Sequence, residues 1–377
     1  MSTDISCLKA RVLIVCTVVT TLRAFLLPFA DHFRALGWRV DGAAVGATTD
    51  PEIGEHFDRV HELPLSRRPW SPGLVRAPAA IRRLVRQGGY DLVHVHTPVA
   101  AMLVRFALRH DRVKVVYTAH GFHFFPGGGH LRNGLFRALE RVAARWCDAI
   151  ITINAEDFAA ASAFHDRVRY MPGIGIDLAG WTPEPLDAGA ARKLRDTLAL
   201  PEDAVPFLMV AEMNPGKRHR DALAALAKTP PQVHLLFAGQ GLQMSSLKEF
   251  AAFLGVADRA HFLGYRRDIK DLMRLSRAVL LPSAREGLPR SLLESLALGV
   301  PVIVSDARGC AELGRLGGRV HPVGDAGALA EAMRDLAADA GGAAQLGAEG
   351  RRRLAEGGYD IRAILRAHEA LYRELLC

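Results

Sequence analysis

Cysteine is scarce and scattered. The five in 377 residues, Cys7, Cys16, Cys147, Cys310 and Cys377, are odd in number and form no close pair. A cysteine-based zinc module is thereby excluded, and a reduced, intracellular chain is expected. Long apolar runs are missing as well. The nearest, Val12 to Ala30, is interrupted by three threonines and Arg23 and reads as a strand, a loop and a helix start rather than a membrane span. Asp4 stands before the first apolar strand, and nothing there has the form of a signal peptide. There is no internal repeat and no long low-complexity tract.

Acidic residues are thin in one region only. Residues 61–150 hold fourteen Lys or Arg against five Asp or Glu, a local excess larger than the +8 of the whole chain. Nucleic acid is one partner such a region fits; an anionic membrane surface is another. No recognition-helix, RRM or KH signature accompanies the charge, so nucleic acid is not expected.

Half of the residues are apolar, enough for two substantial cores. Apolar runs at 11–16, 91–95, 113–118 and 148–153 alternate with helical patterns at 22–36, 74–87, 99–109 and 131–146, and Trp38 to Val45 holds a further short strand. A second alternation has runs at 206–211, 233–238, 260–263, 278–281 and 301–304, with helical stretches between them and at 326–338 and 344–354. The βα repetition predicts an α/β chain with mainly parallel sheets covered on both faces. The expected division is 1–175 for a first domain, 176–204 for a Pro-, Gly- and Asp-rich junction, 205–358 for a second domain, and 359–377 for a last amphipathic helix.

One stretch, residues 279–313, organises the rest. Val279 to Leu281 is a buried strand, Pro282 to Leu288 a polar loop, and Pro289 opens a helix carrying Leu292, Leu293 and Leu296. Gly299 ends that helix, and Pro301 to Val304 is the next strand. Helix N–H groups at the carboxyl end of a strand suit an anion. Glu286 in the loop and Glu294 in the helix suit hydroxyl groups beside it. A nucleotide sugar offers both a diphosphate and hydroxyls.

This stretch resembles the signature of the family 4 retaining glycosyltransferases. Glu286 and Glu294 match that family's paired glutamates, and Gly299, Pro301, Asp306, Gly309 and Glu312 fall where the pattern places them. The resemblance implies the GT-B architecture, two Rossmann-like domains facing each other across a deep cleft, with the last helix crossing back to the first domain. It extends to Asn154-Ala155-Glu156-Asp157 and Pro172-Gly173-Ile174-Gly175-Ile176-Asp177, which are similar to polysaccharide-associated members. The implied activity is transfer of a hexosyl or N-acetylhexosaminyl group from a nucleoside diphosphate sugar, with UDP the preferred carrier. The implied acceptor is a glycan or polyprenyl-diphosphate-linked sugar of a bacterial surface polysaccharide. No further cofactor is required. No Asp-x-Asp occurs, which disfavours the metal-dependent transferases of the other major fold, and no metal is expected.

The implied catalytic residues are His120, Lys217 and Glu286. A lone histidine is more often structural, but Tyr117-Thr118-Ala119-His120-Gly121-Phe122-His123-Phe124 is similar to the family's first-domain histidine motif. His94 and His96 read as core or edge histidines. Lys217 matches the family's diphosphate lysine. Five residues earlier, where many members carry arginine, this chain has Glu212, which leaves Arg218 as a second candidate cation. The expected donor site adds Gly239, Tyr265, Arg266, Gly287, Leu288 and Glu294. Gly239-Gln240-Gly241 also reads as a plain turn. Thr17, Thr21, Arg23 and His123 are the acceptor-side candidates. Arg67, Arg68, Trp70, Arg76, Arg82, Arg83 and Arg86 form a basic-aromatic stretch expected to meet an anionic membrane surface from the cytoplasmic side. Two other readings share parts of the pattern: a nucleotide-sugar epimerase, and a nonenzymatic protein binding a nucleotide sugar or nucleic acid.

Overall fold

The computed structural model describes residues 9–66, 71, 73–125 and 128–377. The chain divides into two compact units, one running to Ile174 and regaining Arg362–Cys377, the other Gly175–Ile361.

The first unit is built on seven strands: β1 (Arg11–Val18), β2 (Arg39–Val45), β3 (Arg59–Glu62), β4 (Leu92–His96), β5 (Lys114–Ala119), β6 (Ala149–Thr152) and β7 (Val168–Tyr170). Their order is β3-β2-β1-β4-β5-β6-β7, and every neighbouring pair is parallel. Parallel neighbours need crossovers, here mostly helices, which cover both faces of the sheet. Hence β4 is buried at all five positions, His94 and His96 included. Chain direction across the sheet reverses between β1 and β4, the place where such sheets bind ligands at their carboxyl ends.

The second unit repeats the plan with β8 (Val205–Val210), β9 (Val233–Ala238), β10 (Ala260–Gly264), β11 (Val279–Leu281), β12 (Val302–Ser305) and β13 (Gly318–His321). Their order is β10-β9-β8-β11-β12-β13, again parallel throughout, and the reversal lies between β8 and β11. Residues 176–204 belong to this unit. Asp187 caps a helix at Ala188–Thr197, and Leu198, Leu200 and Ala204 are buried in the second core.

The opening helix departs from the loop expected between the first strand and residue 22 and from the regular helix expected at 22–36. Helical turns begin at Val19, pass through a π-helical stretch at Leu22–Leu26, and continue as Leu27–Ala35. Pro28 lacks the N–H that a regular turn would send back to residue 24, and wider winding before it accommodates the loss. At the other end of the chain, the helix Ile361–Leu376 packs in the first unit. There Tyr372 stacks on Phe33 at 4.8 Å and His368 meets the edge of Phe29 at 4.9 Å. Among the described residues no helix is long and apolar enough to cross a membrane.

Candidate active site

In the second unit, the loops after β8 and β11 flank the reversal point and are tied by the Ala284 N–H, which donates to the Gly216 carbonyl at 2.9 Å. They bring Lys217 and Glu286 together: Nζ lies 2.6 Å from Oε1, with 26% and 12% of the two side chains exposed. The Asn214 side chain accepts the Lys217 N–H and so fixes the turn that carries the lysine. Arg218 is in the left-handed region at φ 57° and donates to Asp221 at 2.5 Å. Its charge already has a partner, whereas the exposed Glu212 accepts from Asn214 at 3.1 Å. His219 is buried and held down to about 4, first by burial and then by Lys217, so it adds no charge at neutral pH.

Glu294 lies on the helix Arg290–Ala297 and accepts from Arg290 one turn earlier at 2.8 Å. Burial pushes its carboxyl above the usual range, and Arg290 pulls it part of the way back. Gly287 and Leu288 precede this helix at its amino end, where N–H groups lack helical partners. Gly309, at φ 75°, lies so close to this loop that a methyl group there would strike the Gly287 carbonyl oxygen. Gly239 has a comparable cause: at φ 154°, any side chain would run into the Ala211 carbonyl of the lysine-bearing loop. The glycine thus allows two loops to approach. Its N–H donates to the Gly264 carbonyl at 2.8 Å, which joins the ends of β9 and β10. Beyond them Tyr265 is 71% exposed, while Arg266 is engaged by Asp268 at 2.8 Å.

In the first unit, His120 follows β5 directly. His94, His96, Thr118 and His120 alternate along neighbouring strands, so all four side chains share one face of the sheet. His96 Nδ1 lies 3.0 Å from His120 Nε2, and the His94 ring packs on His96 with centroids 4.1 Å apart. His94 Nε2 pairs with Thr118 Oγ1 at 2.7 Å, and its Nδ1 pairs with the Tyr372 hydroxyl of the returning helix. Burial holds His120 down to about 4 and keeps His94 and His96 well below the ordinary range, so the row is neutral near pH 7.

The tautomers follow from what His96 can satisfy. If His120 donated from Nε2, a neutral His96 would carry its own proton on Nε2, which is buried and meets no partner among the described residues. An orphaned N–H is the costlier defect, so His96 donates from Nδ1 and His120 keeps its proton on Nδ1. Asn154 and Asp157 brace the loop that follows. Asn154 caps its helix by accepting the Asp157 N–H, and the Asp157 carboxylate accepts the Phe122 N–H at 3.4 Å. His123 stacks on Phe136 at 5.1 Å.

At the reversal point of this unit, the Thr17 and Thr97 hydroxyls lie 2.7 Å apart, and Thr97 Oγ1 also accepts the Thr17 N–H. Thr97 has φ 70°, a strained setting for a β-branched residue. Thr97 is not among the residues singled out in the sequence, and His96, expected as a core or edge histidine, is buried at the end of β4. Their signals are the alternation His94-x-His96 on a buried strand and their place at its carboxyl end. Thr21 is half-buried, and Arg23 is paired with Asp50 at 3.0 Å.

The expected basic-aromatic stretch is only partly visible: Arg67, Arg68 and Trp70 lie outside the described residues. Arg82 donates to the Ala107 carbonyl and, with Arg86, pairs with Asp111, whereas Arg76 and Arg83 are exposed. Among the described residues no group of three His, Cys, Asp or Glu side chains is suited to a metal ion.

Two family models match the two halves: "Glycosyl transferase 4-like domain" over residues 21–173 and "Glycosyl transferases group 1" over 191–353. The chain is 32% identical over 354 residues to the Bacillus subtilis (strain 168) protein named "Putative glycosyltransferase EpsD", covering 91% of both chains. It belongs to the family 4 glycosyltransferases. It is 28% identical to an Escherichia coli UDP-Gal:alpha-D-GlcNAc-diphosphoundecaprenol alpha-1,3-galactosyltransferase, over 61% of each chain. The fold is that of Anabaena HepE, whose structure was determined with UDP and glucose, at a TM-score of 0.81, 20% identity and coverage of 97% and 100%. The two Rossmann-like units are therefore those of a GT-B enzyme, a glycosyltransferase that uses a nucleoside diphosphate sugar.

Proposed function

We propose that this glycosyltransferase moves a hexosyl or N-acetylhexosaminyl group from a UDP-sugar, with retention, to a polyprenyl-diphosphate-linked sugar in bacterial surface polysaccharide biosynthesis. The observation that carries the donor half is the Lys217–Glu286 pair at the reversal point of the second sheet, next to a helix amino end. UDP in the HepE structure and UDP-Gal in the galactosyltransferase name support the base, and the diphosphoundecaprenol in that name supports the acceptor class.

As the glycosidic bond weakens, negative charge grows on the leaving diphosphate. Lys217 and the N–H groups before the helix Arg290–Ala297 stabilise it, an effect of several kcal/mol for prearranged donors of this kind, on the order of 3–4. A diphosphate competes with Glu286 for the lysine, which frees the carboxylate for sugar hydroxyls. Glu294 holds the ribose. His120, neutral and carrying its proton on Nδ1, serves as a hydrogen-bonding group for the transferred sugar. Attack comes from the face that the leaving group departs, with its phosphate taking the acceptor proton.

The test is saturation-transfer NMR of the purified protein with UDP, GDP and a panel of UDP-sugars, with Lys217→Ala and Glu294→Ala alongside. The expected outcome is one selective UDP-sugar whose signal falls in both variants, followed by a product of retained anomeric configuration. Folded protein that binds none of the panel, or a donor turned into its epimer without acceptor, overturns the reading.

A further inference from the structure

The helix His130–Ala144 carries an apolar row on its outward side. Leu131 is 93% exposed and Leu135 59%, and Leu139 and Val142 continue the row at three- and four-residue spacing. These positions fall within about 80° of one another around a regular helix. Phe106, on the neighbouring helix Pro98–Leu108, is exposed as well.

Cations border the row. Arg132 lies on one flank and Arg141 and Arg145 lie on the other, and all three are exposed; Arg137, further round the helix, packs over the Phe124 ring. The single acid of this helix, Glu140, is turned inward, where it accepts from the buried Arg105 at 2.8 Å. The outward side therefore combines apolar residues with arginine and presents no carboxylate of its own.

We infer that this face docks on an anionic lipid surface, with the helix lying along the interface, the leucines entering the headgroup–acyl boundary and the arginines meeting the headgroups. Charge selects the occupant. A second copy placed across a two-fold axis would set arginines against arginines. The row from Leu131 to Val142 is also only about 16 Å long, too short to supply by itself the roughly 800 Å² per partner of a stable protein interface. A lipid surface makes neither demand, because apolar insertion and headgroup attraction add along a single helix. The inference rests on the reading of a lipid-linked acceptor and places the enzyme at the surface where such an acceptor is held.

The experiment is co-sedimentation of the full chain with vesicles of phosphatidylglycerol and phosphatidylethanolamine, and with vesicles of phosphatidylcholine alone. UDP-sugar binding is followed on the same samples. Wild type should sediment with the anionic vesicles. Leu131→Gln/Leu135→Gln and Arg141→Gln/Arg145→Gln should each weaken that association about tenfold or more while retaining the melting temperature and UDP-sugar binding. Wild type that binds a UDP-sugar but ignores anionic vesicles overturns the inference and leaves the donor reading standing. Vesicle binding without any sugar nucleotide does the reverse. Both paired variants binding as wild type, with Arg76→Gln/Arg83→Gln impaired, moves the contact to the helix Gly73–Gly88 and overturns it too. So does a dimer in solution that the leucine pair dissolves.

Discussion

The two units share a strand plan and build their sites from opposite electrostatics. In the second unit, charged groups meet in pairs beside a helix end: Lys217 with Glu286, Arg218 with Asp221, Arg290 with Glu294. In the first, the neutral histidines His94, His96 and His120, the first two buried, form a chain of hydrogen bonds and ring contacts at the strand ends. An ion pair can exchange partners when a charged ligand arrives. A neutral imidazole row keeps its geometry and presents a fixed donor. The first arrangement suits the leaving diphosphate, the second an uncharged sugar.

The two units differ least where the first does bury charge. Arg105 is fully buried, paired with Glu140 and packed over the Tyr117 ring at 4.3 Å. Glu140→Gln leaves that guanidinium unpaired and should cost the first unit about 3–5 kcal/mol, seen as an early transition in urea unfolding. Next in size, Lys217→Ala should lower kcat/KM about 1,000-fold without moving the melting temperature. A loss below tenfold would mean that the helix end alone carries the diphosphate.

His96→Phe tests the neutral side. Removing the group that sets the His120 tautomer should reduce kcat/KM about 100-fold, and His96→Asn, whose amide can donate from a similar position, should recover part of it. A smaller effect comes from pH. The folded-state values of His94, His96, His120 and His368 are all lowered, the last to about 4, so the unfolded chain takes up protons first as pH falls. Stability is therefore full above about pH 6.5 and is lost toward pH 4, by at most about 1.4 kcal/mol per pH unit for each histidine. Thermal melts between pH 7.5 and 5 should show the first unit weakening. Smallest of all, Arg218→Gln should change kcat/KM less than about threefold, as expected for a half-buried cation already held by Asp221.

Much of this was legible in the sequence because it is local. The central strands are mostly apolar runs, and Glu286 and Glu294 sit on a loop and a helix that the same short segment specifies. The edge strands β3, β7 and β13 were not foreseen. They are three or four residues long and carry Arg59, Arg169 or Arg319, so no apolar run marks them. The pairing of Arg82 and Arg86 with Asp111 was equally hidden, because the helix face shows only that cations cluster and not that an acid 25–29 residues away meets them. The bond from His96 to His120 depends on strand register. The outward leucines of His130–Ala144 have ordinary helical spacing and would be read as core; only burial shows which side faces out.

The return of the final helix to the first unit sets an order for synthesis on the ribosome. The second unit can complete itself once residue 361 has emerged, whereas the first, though made earlier, must wait for its last sixteen residues. Until Tyr372 arrives, Phe33 lacks its stacking partner and His94 the hydroxyl that meets its Nδ1. A nascent chain that lacks Arg362–Cys377 would thus hold a finished second unit and an unsealed first one, and arrival of Tyr372 becomes the step that closes the histidine row.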